Sequence, residues 1–484
     1  MIQQKNIKWV YAITLAFILL NAIFTYFEFY YFNLLPAALL IVLLGLFALD
    51  KLVLFTVFLT PLAVNLQDLE GGLGLSLPTE PIIFGIMLLF ILKQFHKNAL
   101  DAKVMKHPIT IAIIINLLWI AVTTITSDLP IVSLKFLISR LWFVIGFYFI
   151  GTQLFKNYAN IKKFNWLYIL PFIIIIFYTL IKHAENGFDV KTANYVMSPF
   201  YNDHTVYAAM LAMFFPSIIF YCINKKYSPR IKMIAFVVLV IFIVALIFSY
   251  TRGAWVSLAI AALAFVTLLL KIRYRTLLII SGVLAALFFV FQTQIVMDLE
   301  KNKQDASKDF DKHLESISNI STDASNLERF NRWNSAFKMF AERPFFGWGP
   351  GTYSFEYAPF QNAKDKTIIS TNMGDGGNAH SEYFGPLSES GVLGLITFVL
   401  IVLITIGTGY RLYYTITHYE TKRLVLVTLL GFITYVVHGG INNFLDTDKA
   451  SVPFWGFIAM LVAIDVFHKN KVDTTEIAPQ GSEN

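Results

Sequence analysis

The chain has 484 residues, 57% of them hydrophobic and 14% charged, with a mean hydropathy of +0.63 and a net charge of +7. Soluble domains carry about 25% charged residues, so this balance excludes an ordinary soluble protein and specifies an integral membrane one. The single cysteine, Cys222, excludes an internal disulfide and a cysteine-based metal site. The basic residues fall in short loops between apolar runs, a pattern of membrane orientation rather than of nucleic-acid binding.

In chain order, Lys5 and Lys8 precede an apolar run over 9–28, which no small-residue cleavage site follows. It reads as a retained first transmembrane helix. Further runs of roughly membrane-spanning length cover 34–49, 52–66, 80–95, 108–126, 131–151, 165–182, 203–222, 233–250, 253–270, 276–295, 387–409, 424–441 and 451–468. Some early runs are short enough to be tilted, re-entrant or merged. The expected fold class is an all-α polytopic membrane protein of about 12–14 transmembrane helices with one large external loop. Alternate loops, such as KQFHKNALDAKVMK, NKKYSPRIK and YRLYYTITHYETKR, are rich in Lys and Arg, whereas segments such as TSDLP are not. This places both termini in the cytoplasm. The expected organisation is an N-terminal transmembrane bundle (1–295), a large outside loop (296–386), C-terminal transmembrane helices (387–468) and a disordered cytoplasmic tail (469–484).

The outside loop is too long for a passive connector. Its first part reads as solvated. Its second part has apolar residues at 327, 330, 333, 337 and 340, with Ser325 and Glu328 as a capping box and Pro344 after the end. That spacing predicts an amphipathic helix.

Several polar groups fall at outside ends of spans. His380 precedes the 387–409 run, and a histidine there can exchange a proton near neutral pH. Gly391 and Gly394 share a helical face and permit close approach of a helix or ligand. Arg252 lies in a tight outside turn, where an anionic phosphate or a carboxylate would suit it. Arg140 lies about ten residues inside its span, which marks it as a functional residue or a structural ion-pair partner. Arg329 and Arg332 share a face of the loop helix and are spaced to clamp a diphosphate, or to form a solvated face. Asp203, His204, His438 and Asp446 are weaker polar candidates at the same face. None of these residues has the spacing of a metal motif, so no metal and no cofactor are expected.

Three motifs then combine. His380-Ser381 is followed by nine residues and Gly391-x-x-Gly394. Upstream, Arg329 and Trp333 precede Pro344, Gly347, Gly349 and Gly351. A Thr251-Arg252-Gly253 turn joins two spans. In order and spacing this resembles the O-antigen ligase and O-antigen polymerase superfamily of bacterial membrane glycosyltransferases, with the ligase motif the nearer match. The resemblance implies a GT-C-like architecture in the bacterial inner membrane with a periplasmic active site. It implies a donor glycan on undecaprenyl diphosphate and an acceptor hydroxyl on lipid A-core or another glycan. His380 would be the catalytic base, or an imidazolium binding the diphosphate. Arg252 and Arg329 would hold the diphosphate, with Arg332 and Arg140 in support. An inverting, metal-independent transfer follows, with membrane lipids but no nucleic acid as partners. Polymerase and protein O-oligosaccharyltransferase activities share this layout. A lipid-linked glycan transporter is the alternative of another class, favoured chiefly by Arg140.

Overall fold

The computed structural model describes residues 4–65, 75–96, 100–280, 282–283, 324–361 and 377–469. The solvated first part of the expected loop and the tail beyond 469 lie outside the described residues. The described chain is helical apart from short turns and a two-residue antiparallel ladder pairing Val64 with Leu77 and Asn65 with Ser76.

Two units are distinguished. The first, Met1–Val53, holds the helices Gln4–Tyr26 and Leu35–Phe47 around a short turn, with Phe17 stacked on Phe32. The second, Leu54–Asn484, contains all the candidate site residues.

Among the described residues, ten helices are long and apolar enough to cross a membrane. The four remaining expected spans account for the difference from fourteen. Leu35–Phe47 and Leu49–Leu59 have 13 and 11 residues, the latter ending before Pro61. Thr79–His96 carries Glu80 in its first turn and Lys93 near its end, which shortens its apolar stretch. Most of 276–295 lies outside the described residues.

Local sequence sets the helix starts. Pro108, Pro130 and Pro229 sit in first turns, where the missing N–H costs nothing. Asp203 caps His204–Ile223 by accepting from the Thr205 and Val206 amides. That helix packs on Pro229–Phe248 and on Tyr419–His438, which in turn packs on Arg252–Leu269. Phe384–Thr415 packs against Pro108–Ile125 and against the loop helix Ala324–Glu342. Asp448–His468 is the most buried span. The alternating helices bring the starts of His204–Ile223, Arg252–Leu269 and Phe384–Thr415, and the end of Tyr419–His438, to one end of the bundle.

The loop helix buries Glu328, Asn331, Arg332, Ser335, Ala336 and Met339. Its aromatic stripe lies beside that face, with Trp333 and Phe337 packed on Phe384. Phe337 stays partly exposed, whereas Arg332 on the buried face reaches the chain beside His380 through the Asn378 carbonyl.

Candidate functional site

His380 sits on a turn fixed from several directions. Its amide donates to the Asn378 side chain at 3.0 Å, and its carbonyl accepts from the Trp333 indole at 3.4 Å. Ser381, fully buried, accepts from the Tyr383 and Phe384 amides and so opens the next helix. The Glu382 amide donates to the Gly439 carbonyl at 2.8 Å. Its carboxylate accepts from Tyr435 and from the amides of Phe444 and Leu445, all at Oε1. His380 itself has φ = +47°, in the left-handed region that costs a β-carbon-bearing residue energy. The surrounding bonds hold that conformation.

The electrostatics follow from this enclosure. Burial pushes the His380 imidazole down to about 3, helped by the charges of Arg332 and then Arg329 and opposed by Asp203. The imidazole is therefore neutral at physiological pH. Arg329 and Asp203 also act on His204 and His438. Arg329, Asp203, His204, His380 and His438 thus form one cluster. Thr251 joins this end by donating to the His204 carbonyl at 3.3 Å. Gly253 lies against His438, where a Cβ would come within 3.4 Å of the ring and 2.6 Å of Ile441. Arg252 is exposed at the start of its helix.

The two loop-helix arginines differ. Arg332 is buried, donates to Glu328 at 2.7 Å and to the Asn378 carbonyl at 3.0 Å, and lies over the Tyr357 ring. It ties the loop helix to the His380 turn. Arg329 is half-buried and faces the histidine cluster electrostatically.

The glycines serve backbone contact. The helix from Phe384 breaks at Gly391, with φ = 70° and ψ = −168°. The segment 344–349 docks along that break. Trp348 N donates to Ser388 O, Gly349 N to Glu389 O, and Val392 N to Pro344 O. A Cβ on Gly347 would sit 2.3 Å from the Glu389 carbonyl carbon, and one on Gly391 would sit 2.1 Å from the Phe345 oxygen. Gly349 and Gly351 also have positive φ, and Gly351 packs on Phe136. At Gly394 a Cβ would meet Ser390 at 2.5 Å.

Arg140 lies elsewhere. It pairs with Asp446 at 3.3 Å and borders a cavity of about 120 Å³ lined by Ala379, Ser381 and Glu382 of the His380 turn but not by His380. That cavity has Glu382, Glu389, Asn378 and Asn443 in its wall, and none of Arg252, Arg329 or Arg332. Burial, with the nearby Asp446 charge, raises Glu382 to about 7, against the opposing pull of Arg140. Glu382 and Glu389 escaped the sequence reading. The signal was available for Glu389, an ionisable residue inside the 387–409 run, by the reasoning already applied to Arg140.

These features define a polytopic membrane protein with a histidine–arginine centre where several helix ends meet. Residues 237–399 match the family model described as O-antigen ligase. That segment is similar to the O-antigen ligase family, and it contains the Thr251–Gly253 turn, Arg329, Trp333, His380, Gly391 and Gly394. The chain is also 27% identical over 248 residues to an uncharacterized protein of Haemophilus influenzae. The match covers 50% of this chain and 58% of that protein, so the chain spans less than two thirds of its relative's length.

Proposed function

We propose that the protein is a membrane glycosyltransferase of the O-antigen ligase type, moving a glycan from undecaprenyl diphosphate to an acceptor hydroxyl on lipid A-core. The site would face the periplasm of a bacterial inner membrane, with both termini cytoplasmic. The observation that carries this reading is the neutral, backbone-locked His380 beside Arg329 and Asp203.

In this reading the acceptor oxygen attacks the anomeric carbon as the His380 imidazole takes its proton. The bond from the anomeric carbon to the phosphate oxygen breaks, and the lipid diphosphate leaves with the electron pair. Arg329 and Arg252 meet the charge that develops on it. Direct displacement inverts the anomeric centre, and the step invokes no metal. Of the two arginines that depress His380, Arg329 loses that effect once a diphosphate neutralises it. Donor binding then raises the basicity of the imidazole, so the base is activated when there is a leaving group to expel. This favours proton transfer over a role for His380 as a phosphate-binding imidazolium in the free protein.

The test uses purified protein in liposomes with a lipid-diphosphate glycan and lipid A-core. His380→Ala, shown to be folded and inserted, should lose transfer by several orders of magnitude; turnover near wild type would refute the assignment. In cells lacking the protein, long polymer stranded on the lipid carrier with bare lipid A-core is the ligase outcome. Single repeat units reaching lipid A-core would instead identify a polymerase.

A further inference from the structure

The cavity beside Arg140 is not used by the mechanism above. Its wall takes Ala379, Ser381 and Glu382 from the turn 379–382, and none of His380, Arg252, Arg329 or Arg332. It adjoins a smaller cavity that shares Arg140, Glu382 and Glu389 and reaches Trp455. Two buried polar atoms in these walls have no protein partner: the Asn443 side-chain oxygen, an acceptor, and the Trp455 indole nitrogen, a donor. Trp455 is only 1% exposed and lines the smaller cavity, so its N–H is closed off from solvent. Such groups are normally satisfied.

The wall chemistry selects the occupant. A phosphate would meet Glu382, Glu389 and Asp446. A cation would meet the Arg140 guanidinium. A lipid chain would strand every polar group in the wall. A neutral ring bearing several hydroxyls fits all of them, because each hydroxyl both donates and accepts. Carboxylates and a guanidinium would take adjacent hydroxyls, with Phe136 supplying an apolar face at the same wall.

The geometry points to a saccharide subsite in the Arg140–Glu382–Glu389 cavity, apart from the diphosphate-binding cluster. The inference rests on the transferase reading. An in-line displacement requires the acceptor hydroxyl and the leaving diphosphate on opposite faces of the anomeric carbon, which a sugar held apart from the diphosphate cluster would allow.

The experiment follows melting of the full-length protein in detergent with two probes: inorganic pyrophosphate, and a panel of methyl hexopyranosides. Wild type should be stabilised by pyrophosphate and by at least one glycoside. Arg140→Gln and Ser354→Leu should abolish the glycoside shift and keep the pyrophosphate shift, whereas Arg329→Gln should do the reverse. Ser354 lines the cavity and makes no ion pair in it, so its variant reports on occupancy if Arg140→Gln does not fold. A glycoside that is extended in the transfer assay identifies the cavity as the acceptor's. One that only competes with the lipid donor identifies it as the donor sugar's. A glycoside shift undiminished in both cavity variants, or no glycoside shift beside a clear pyrophosphate shift, overturns the subsite alone. Absence of both shifts removes the transferase reading and the subsite with it.

Discussion

At His380 three charged neighbours act on one imidazole, and each can be removed without deleting the ring. Arg329→Gln takes away a positive charge that lowers the imidazole, so its titration point should rise from about 3. Asp203→Asn takes away the opposing negative charge and should lower it further, while keeping an oxygen to cap its helix. Resonances of labelled histidine in the folded protein read both shifts, and opposite signs are required. Arg332 differs in kind, because its guanidinium lies buried between Glu328 and the Asn378 carbonyl. Arg332→Ala leaves the Glu328 carboxylate, 3% exposed, without its ion pair. A loss of about 3–5 kcal/mol in stability is expected, seen as a lowered melting temperature. The positions of His380, Arg329 and Trp333 were readable because motif spacing marks them. The tie from Arg332 to Asn378 was not, since a backbone carbonyl leaves no trace in residue type.

The helix that follows His380 and the glycine segment before it form one structural unit although about forty residues separate them in sequence. The 344–349 segment borrows carbonyls that the break at Gly391 frees, and its own glycines let the two backbones touch. Gly391→Ala would place a methyl 2.1 Å from a backbone oxygen at φ = 70°. Strain of about 1–3 kcal/mol from the dihedral alone adds to the displaced segment, so folded yield in membranes should fall sharply. Gly347→Ala should behave alike. Gly85→Ala is the contrast: nothing lies within 4 Å of its Cβ position, in a helix interior. It should stabilise by about 0.5–1 kcal/mol. If Gly391→Ala melts no lower than Gly85→Ala, the docking account fails. Glycine spacing was plain in the sequence, but its reason is a contact between segments that no local pattern encodes. Most helices, by contrast, were legible from apolar runs and first-turn prolines, and two of the four discrepancies fall where Pro61 or flanking charges shorten a run.

For the molecule as a whole, enclosing a histidine and a glutamate two residues apart couples global stability to pH in two opposed ways. His380 falls from 6.5 to about 3 on folding, so between those values the unfolded chain binds the extra proton. Stability from His380 is therefore complete above about 6.5 and is lost as pH falls toward 3. Glu382 rises from 4.5 to about 7, so between those values the folded chain binds the extra proton. Its contribution is present below about 4.5 and is lost as pH rises toward 7. Across the shared window, from about 4.5 to about 6.5, the two slopes oppose each other and cancel in part. Glu382→Gln keeps an acceptor for Tyr435 and the Phe444 and Leu445 amides but no longer titrates. Relative to wild type, its melting temperature should rise more with pH through the window. His380→Asn should change the slope in the opposite direction relative to wild type. Parallel slopes in the two variants would mean that the protonation states assigned to the site are wrong, and with them the neutral imidazole on which the proposed proton transfer depends.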